Sequence, residues 1–198
     1  MNKTNSAIPA SGNGGRIQMR FAAIWLVMLV LIGFCAVVVP TSLMPSAFLT
    51  IAPLAAFLAI AAMGESLVLM SRGIDLSTPA IITLSSTLIL GISGGRDEAL
   101  TLAIGIALLS AVAIGVINGI LVAVLELNAL IVTLAVGAIT TGATLWYRES
   151  LPAESRVPPV LADWGGSRIF GLNVSVWVAA FLVIVLTIIL RKTITGRR

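Results

Sequence analysis

Long runs of apolar residues most constrain what this chain can fold into. The runs extend over residues 21–39, 50–70, 79–93, 99–125, 129–147 and 174–190. A run of about 18 or more apolar residues with few charges is typical of a transmembrane helix. The composition agrees, because 59% of the 198 residues are hydrophobic and only 10% are charged, against about a quarter charged in soluble domains. We therefore predict an all-α integral membrane protein with about six transmembrane helices in a lipid bilayer.

The segment before the first run is polar and rich in Gly, Ser and Asn, so we expect residues 1–20 to be disordered. A basic leader before an apolar run also describes a signal peptide. This run, however, is longer than the usual apolar core of such a peptide and ends at Pro40 without a small-residue cleavage site. We expect a retained anchor, which makes residues 21–198 a single transmembrane domain.

The distribution of Lys and Arg orients the helices, because cytoplasmic loops carry the excess of basic residues. With the N-terminus inside, eight basic residues fall on the cytoplasmic side and four on the outer side. The outer ones are Arg96 and three arginines within the longest loop, 148–173. We predict a cytoplasmic N-terminus and C-terminus. The basic residues flank the spans without interleaved aromatics, so nucleic acid is not an expected partner.

Several functional classes are excluded by residues that the sequence lacks. It contains no His, and its single cysteine, Cys35, lies within an apolar run, which leaves neither a disulfide framework nor a metal site. No Gly-x-x-x-x-Gly-Lys-Ser/Thr loop is present, so the chain does not hydrolyse nucleotides by the common P-loop route. We expect no catalytic residues, no metal and no cofactor.

Glu65 is the sharpest anomaly, because it interrupts the second apolar run. A charged residue at mid-helix costs roughly 2.5–3.5 kcal/mol on insertion scales, so such a residue suggests a water-filled path or a cationic partner. The alternative is that Glu65 lies near the cytoplasmic end of its helix, close to Arg72, and reaches the interface. The sequence leaves both readings open.

A polar turn, Gly73-Ile74-Asp75-Leu76-Ser77, joins the second and third runs. Asp75 can accept backbone N–H groups, and Ser77 can cap the following helix. We therefore favour a helix-capping turn. The alternative is a role in conduction or gating, because breaks in the backbone at membrane depth usually line a cavity or are buried in protein.

Asn118 lies between Gly115 and Gly119 in the fourth run. The spacing of these glycines allows close helix approach, and Asn can hydrogen-bond across such a contact, so we favour helix packing. Four threonines could line a polar path or could satisfy their own helix backbone. They are Thr133, Thr140, Thr141 and Thr144.

The segment GESLVLMSRGIDLSTPAIITLSS resembles a motif of ribose-type permeases, the membrane subunits of bacterial sugar-importing ABC transporters. Residues 73–77 supply its Gly-Ile-Asp-Leu-Ser core. Arg72 stands where that family usually has a glycine, and Thr78-Pro79 replaces a Val-Gly-like pair.

Two later blocks extend the resemblance in the same order. The segment GVINGILVAVLELNALIVTLAVGAITTGATL is similar to the family's Gly-x-x-Asn-Gly stretch followed by Ile-Val-Thr-Leu. The final residues 195–198, Thr-Gly-Arg-Arg, are similar to the basic segment after the sixth helix. Members of the family are longer, so the resemblance implies the N-terminal portion of a permease.

The resemblance implies a permease subunit that translocates a monosaccharide across the bacterial inner membrane by alternating access. It implies ATP hydrolysis in separate ABC ATPase subunits, delivery by a periplasmic sugar-binding protein and pairing with a second permease subunit. Segment 148–173 would then be a periplasmic loop. The candidates for the translocation path or its motifs are Glu65, Gly73, Asp75, Ser77, Asn118, Gly119 and Thr133.

Three alternatives remain open. A non-transporting fragment or membrane anchor would have the same helices, and branched-chain amino-acid permeases share a related architecture. A self-sufficient secondary transporter is less favoured, because Glu65 stands alone and no inverted repeat is visible.

Overall fold

The computed structural model of the protein describes residues 14–71, 73–152 and 155–192. Within these residues the backbone is almost entirely helical. The α-helices are α1 (Gly14–Val38), α2 (Pro45–Met70), α3 (Thr78–Ser93), α4 (Leu100–Gly119), α5 (Ala129–Glu149), α6 (Pro159–Gly166) and α7 (Val174–Lys192). The remaining elements are 3-10 turns at Pro40–Leu43 and Asp97–Ala99, a π-helical turn at Ile120–Val124, and strands β1 (Arg168–Ile169) and β2 (Leu172–Asn173).

The all-α membrane class is confirmed, and helices α1–α5 and α7 coincide with the apolar runs. In the part of the chain that the structure describes, four helical stretches are long and apolar enough to cross a membrane: α2, α4 with its flanking turns, α5 and α7. The apolar part of α1, Ala22–Val38, and helix α3 are shorter. Helix α3 has 16 residues, or about 24 Å at 1.5 Å per residue, against a hydrocarbon core of about 30 Å. The count of six complete spans therefore stays a prediction.

The chain divides into two compact units at Thr50, within α2. The first unit contains α1 and the 3-10 turn at Pro40–Leu43. Helix α1 is described from Gly14 onward, so helical backbone reaches into the segment 1–20 that we expected to be disordered. The rest of that expectation falls on residues 1–13, outside the described residues.

In the second unit, α3 packs against both α4 and α5. Small and hydroxyl-bearing side chains form this contact. This is usual in membranes, because lipid removes the hydrophobic drive between helices and association depends on close approach of their backbones. The buried residues of these three helices are Ala80, Thr87, Ser93, Ala103, Ala107, Asn118, Val132, Thr133, Gly137, Thr140 and Thr144. Helix α2 buries only Ala56, and α7 buries only Val174, Ser175 and Ala179 near its start, so most of the core of this unit lies among α3, α4 and α5.

Segment 148–173, expected to be a periplasmic loop, contains α6 and the β1–β2 hairpin. Asp97, in the α3–α4 connection, accepts the Val160 N–H through Oδ1 at 3.0 Å, at the start of α6. A Cβ on Gly95 would lie 3.4 Å from the Arg156 carbonyl oxygen. These contacts bring the α3–α4 connection and the loop to the same end of the second unit.

A π-helical turn ends α4 instead of a simple cap. The Leu125 N–H donates to the Ile120 carbonyl at 3.1 Å, five residues back. Glu126 follows with φ of 54°, a left-handed conformation that is uncommon outside glycine and asparagine. The turn directly follows Asn118 and Gly119, two of the predicted site residues.

Candidate functional site

The candidate site is built around residues 73–77, a non-helical break between α2 and α3. A break leaves backbone N–H groups without intrahelical partners, and within a membrane each of them needs another acceptor. Pro79, near the start of α3, lacks an N–H and so adds no such demand.

Side chains satisfy three consecutive N–H groups of this break. The Asp75 N–H donates to Glu65 Oε1 at 3.2 Å. The Leu76 N–H donates to Thr133 Oγ1 at 3.0 Å, and the Ser77 N–H donates to Asp75 Oδ1 at 2.8 Å. Side chains from α2, the break itself and α5 therefore hold the break in place.

Ser77 extends this network to α4. Its hydroxyl donates to Asp75 Oδ1 at 2.6 Å and accepts from Asn118 Nδ2 at 2.8 Å. The Ser77 side chain is 0% exposed. Because the Ser77 proton is committed to the carboxylate, only the Asn118 NH₂ group can face Ser77, which fixes the orientation of the amide.

The other end of that amide, Asn118 Oδ1, is buried and accepts no hydrogen bond from the described residues. Asn118 is 6% exposed. An unpaired buried acceptor typically costs about 1–3 kcal/mol, and such groups in native structures need an explanation, which can include a ligand or an ordered water.

Asn118 lines a cleft of about 390 Å³. The cleft has apolar walls and a few polar groups, the usual make-up of a small-molecule site. Its lining residues are Val68, Ser71, Gly73, Ile74, Asp75, Gly115, Asn118, Gly119, Val122, Ala123, Ala129 and Thr133. Six of the seven predicted site residues thus meet here: five line the cleft, and Ser77 lies behind Asp75 and Asn118.

Glu65, the seventh, is half-buried and contacts the break through the Asp75 N–H instead of lining the cleft. Its proposed neighbour Arg72 lies outside the described residues. The carboxylate therefore has a structural role in the break, and a role in conduction stays a prediction.

Two details of the sequence-based interpretation are wrong. Ser77 occupies the N-cap position of α3 but makes no capping hydrogen bond with its side chain, because the hydroxyl is engaged by Asp75 and Asn118. The Gly115 and Gly119 positions meet no neighbouring atom within 4 Å of an added Cβ. In the described residues these glycines border the cleft and do not pack against a helix, whereas Asn118 does hydrogen-bond across to Ser77, as the packing interpretation expected.

A close approach of α5 to the break occurs instead at Gly137. A Cβ there would lie 3.3 Å from Ser77 Cα, so glycine lets α5 approach the break. Sequence reasoning missed this position because Gly137 has no glycine at a spacing of four. The hydroxyls of three threonines on α5 donate to the carbonyl four residues earlier: Thr133, Thr141 and Thr144. This agrees with the alternative that these hydroxyls satisfy their own helix backbone.

Among the described residues, no group of three or more Cys, His, Asp or Glu side chains is placed to hold a metal ion. The site is thus a hydrogen-bonded break beside a small, partly polar cleft, within helices that span a membrane. Irregular backbone of this kind is tolerated at membrane depth where it lines a cavity or is buried in protein, and it is frequent in transport proteins.

Comparison with known proteins agrees with that class. Residues 47–198 match the family described as branched-chain amino acid transport system / permease component. The match covers most of the chain, and the chain belongs to this family. It is a multi-pass protein of the bacterial inner membrane.

Curated relatives include sugar importers. The chain is 31% identical over 142 residues to the ribose import permease protein of Escherichia coli K12, covering 70% of this chain and 44% of the relative. It is 32% identical over 148 residues to the autoinducer 2 import system permease protein of Escherichia coli O9:H4, covering 72% and 41%. It is 29% identical over 204 residues to the L-arabinose ABC transporter permease protein of Azospirillum brasilense, covering 96% and 56%.

The resemblance to sugar ABC permeases is thereby confirmed. The chain spans roughly half the length of the curated relatives that it matches. No solved structure matches it significantly.

Proposed function

We propose that this chain forms part of the membrane-spanning permease of an ABC importer and that the cleft beside residues 73–77 belongs to its translocation path. The observation that carries the proposal is the Asp75–Ser77–Asn118 network, which places polar groups and an unpaired amide oxygen next to a cleft inside spanning helices. Polar groups at membrane depth are costly and usually functional.

The proposed substrate is a monosaccharide. The relatives named for ribose and arabinose support this class. The cleft agrees with this class, because the unpaired Asn118 Oδ1 at its wall can accept a hydrogen bond from a sugar hydroxyl.

In the proposed mechanism, the cleft is exposed alternately to the two sides of the membrane. Energy would come from ABC ATPase subunits, and a periplasmic binding protein would deliver the sugar to the outer face, at loop 148–173. A second permease subunit would complete the path on the side where Gly115 and Gly119 are open.

Uptake of labelled sugar by proteoliposomes tests the proposal. The protein is co-expressed with a candidate ABC ATPase and a candidate sugar-binding protein, and recovery of the ATPase is scored first. We expect ATP-dependent uptake of a pentose that exceeds uptake of leucine. Leucine uptake alone would support the amino-acid alternative, and a folded chain that recovers no ATPase would support the membrane-anchor alternative.

Variants of the cleft residues then test whether the cleft belongs to the translocation path. Asp75→Ala and Asn118→Leu should each lower uptake while leaving ATPase recovery unchanged, because both side chains line the cleft. Ser86→Ala, on an exposed part of α3, is the matched control. Wild-type uptake in both cleft variants would overturn the assignment of the path.

A further inference from the structure

The β1–β2 hairpin has a loop whose sequence is unfavourable for its conformation. Phe170 and Gly171 form this two-residue loop, with φ of 51° and 81°. Two positive φ values define a type I′ turn, which favours Asn-Gly or Asp-Gly because a bulky side chain crowds the backbone there. Phe170 is also 91% exposed. Backbone preference does not explain a phenylalanine at this position, and its ring contact within the described residues is an edge contact with Trp177 that leaves it exposed.

The hairpin is fixed against the first turn of α7. The Trp177 Nε1–H donates to the Ile169 carbonyl at 3.1 Å, and the Val174 N–H donates to the Ser167 carbonyl at 3.2 Å. The rings of Phe170 and Trp177 meet edge to face, with centroids 6.2 Å apart and planes at 67°. Phe170 is therefore held level with the start of a helix that is long and apolar enough to span the membrane.

That level corresponds to the membrane–water interface. Amphipathic aromatic residues such as Trp concentrate there. The hairpin cannot lie deeper, because strands of only two residues leave backbone groups that need water or lipid headgroups. Exposed Arg168, at the base of the hairpin, supplies a cation that suits a lipid phosphate.

We infer that hairpin 168–173 is a membrane-interface anchor. Phe170 inserts beside Trp177 into the glycerol region of the bilayer, and Arg168 stays at the level of the phosphates. The partner is phospholipid. The bilayer compensates both for the left-handed conformation of Phe170 and for its exposure to solvent. This inference depends on membrane location and not on the transported ligand, so it can fail independently of the proposed function.

Fluorescence quenching of a probe at position 170 tests the anchor. In a Cys35→Ala background, Phe170→Cys is labelled with the fluorophore NBD and reconstituted into phosphatidylcholine nanodiscs. The matched control is Asp163→Cys, at an exposed charged position on α6. We expect blue-shifted emission and several times stronger quenching by lipids brominated near the glycerol end for position 170, and stronger quenching by aqueous iodide for position 163.

A second measurement keeps Phe170 and so does not depend on how the Cys variant folds. Trp25, Trp146 and Trp164 are replaced by Phe, which leaves Trp177 as the reporter. Brominated lipid should quench Trp177 strongly, and Phe170→Asn, which suits the turn, should increase access of iodide to it. Equal iodide quenching at positions 170 and 163, with Trp177 unaffected by brominated lipid, would overturn the inference and leave the hairpin as a water-exposed surface for a protein partner.

Discussion

At the scale of single residues, Ser77 connects the break to α4 through one buried hydroxyl. It donates to Asp75 in the break and accepts from Asn118 on α4, while its backbone N–H also bonds Asp75. The hydroxyl has one proton, so its two partners must differ in character, one accepting and one donating. A small residue without a hydroxyl, such as Ala, therefore cannot replace Ser77 in both roles.

Replacing Ser77 with Ala should destabilise the fold by about 1–3 kcal/mol, because the Asn118 amide then loses its partner while it remains buried. Reversible unfolding in mixed detergent micelles measures the change. Ser86→Ala is the matched control, since Ser86 is exposed on the same helix and bonds only the Ile82 carbonyl; its change should stay within about 0.5 kcal/mol. Equal values for the two variants would contradict the role assigned to the buried hydroxyl.

At the scale of helices and turns, the sequence predicted most helix bounds because apolar runs and Gly or Pro punctuation mark them directly. Helices α5 and α7 end within a few residues of their runs. The Ser77–Asn118 bond was not predictable, because it joins residues 41 apart in sequence and depends on how α3 and α4 pack. Likewise, α6 and the β1–β2 hairpin lie in a loop with mixed polarity and no clear periodicity.

The close approach of α5 to the break gives an element-scale prediction, in which two Gly→Ala substitutions change the free energy of unfolding in opposite directions. Gly137→Ala should destabilise the fold by about 1–3 kcal/mol, as overpacking does, because its Cβ would lie 3.3 Å from Ser77 Cα.

Gly142→Ala, on the same helix, is the control, and nothing lies within 4 Å of an added Cβ there. It should stabilise the fold by about 0.5–1 kcal/mol, since Ala favours a helix interior over Gly. Unfolding of both variants in detergent gives the comparison. A stabilising Gly137→Ala would show that α5 does not approach the break so closely.

The contact between Asp97 and α6 gives a second element-scale prediction. Asp97→Ala removes the acceptor for the Val160 N–H, so the start of α6 should open more often. Loss of a capping carboxylate costs about 1 kcal/mol, which corresponds to about fivefold faster amide exchange in α6. Hydrogen exchange measures this rate, and Glu98→Ala, at the neighbouring exposed carboxylate, should leave it unchanged. Equal protection in both variants would contradict an anchoring role for Asp97.

At the scale of the whole molecule, the second unit has two sets of polar contacts, which lie at opposite ends of its helices. Asp97 and Gly95 meet loop 148–173 at one end. The break at 73–77 lies near the other, where it contacts Thr133 in the first turns of α5. The excess of basic residues predicts that the end with the break is cytoplasmic.

Labelling of single cysteines with a membrane-impermeant maleimide tests both the arrangement and the orientation, in a Cys35→Ala background. Arg96→Cys and Arg168→Cys should label from outside intact spheroplasts, and Leu127→Cys, in the α4–α5 connection, only in inside-out vesicles. The pair at 96 and 168 is the internal control, because the Asp97–Val160 hydrogen bond places both positions on one side whichever way the protein inserts. Inversion of all three results would show that the predicted orientation is wrong, although the arrangement of helices would still hold. Labelling of positions 96 and 168 from opposite sides would contradict the fold itself.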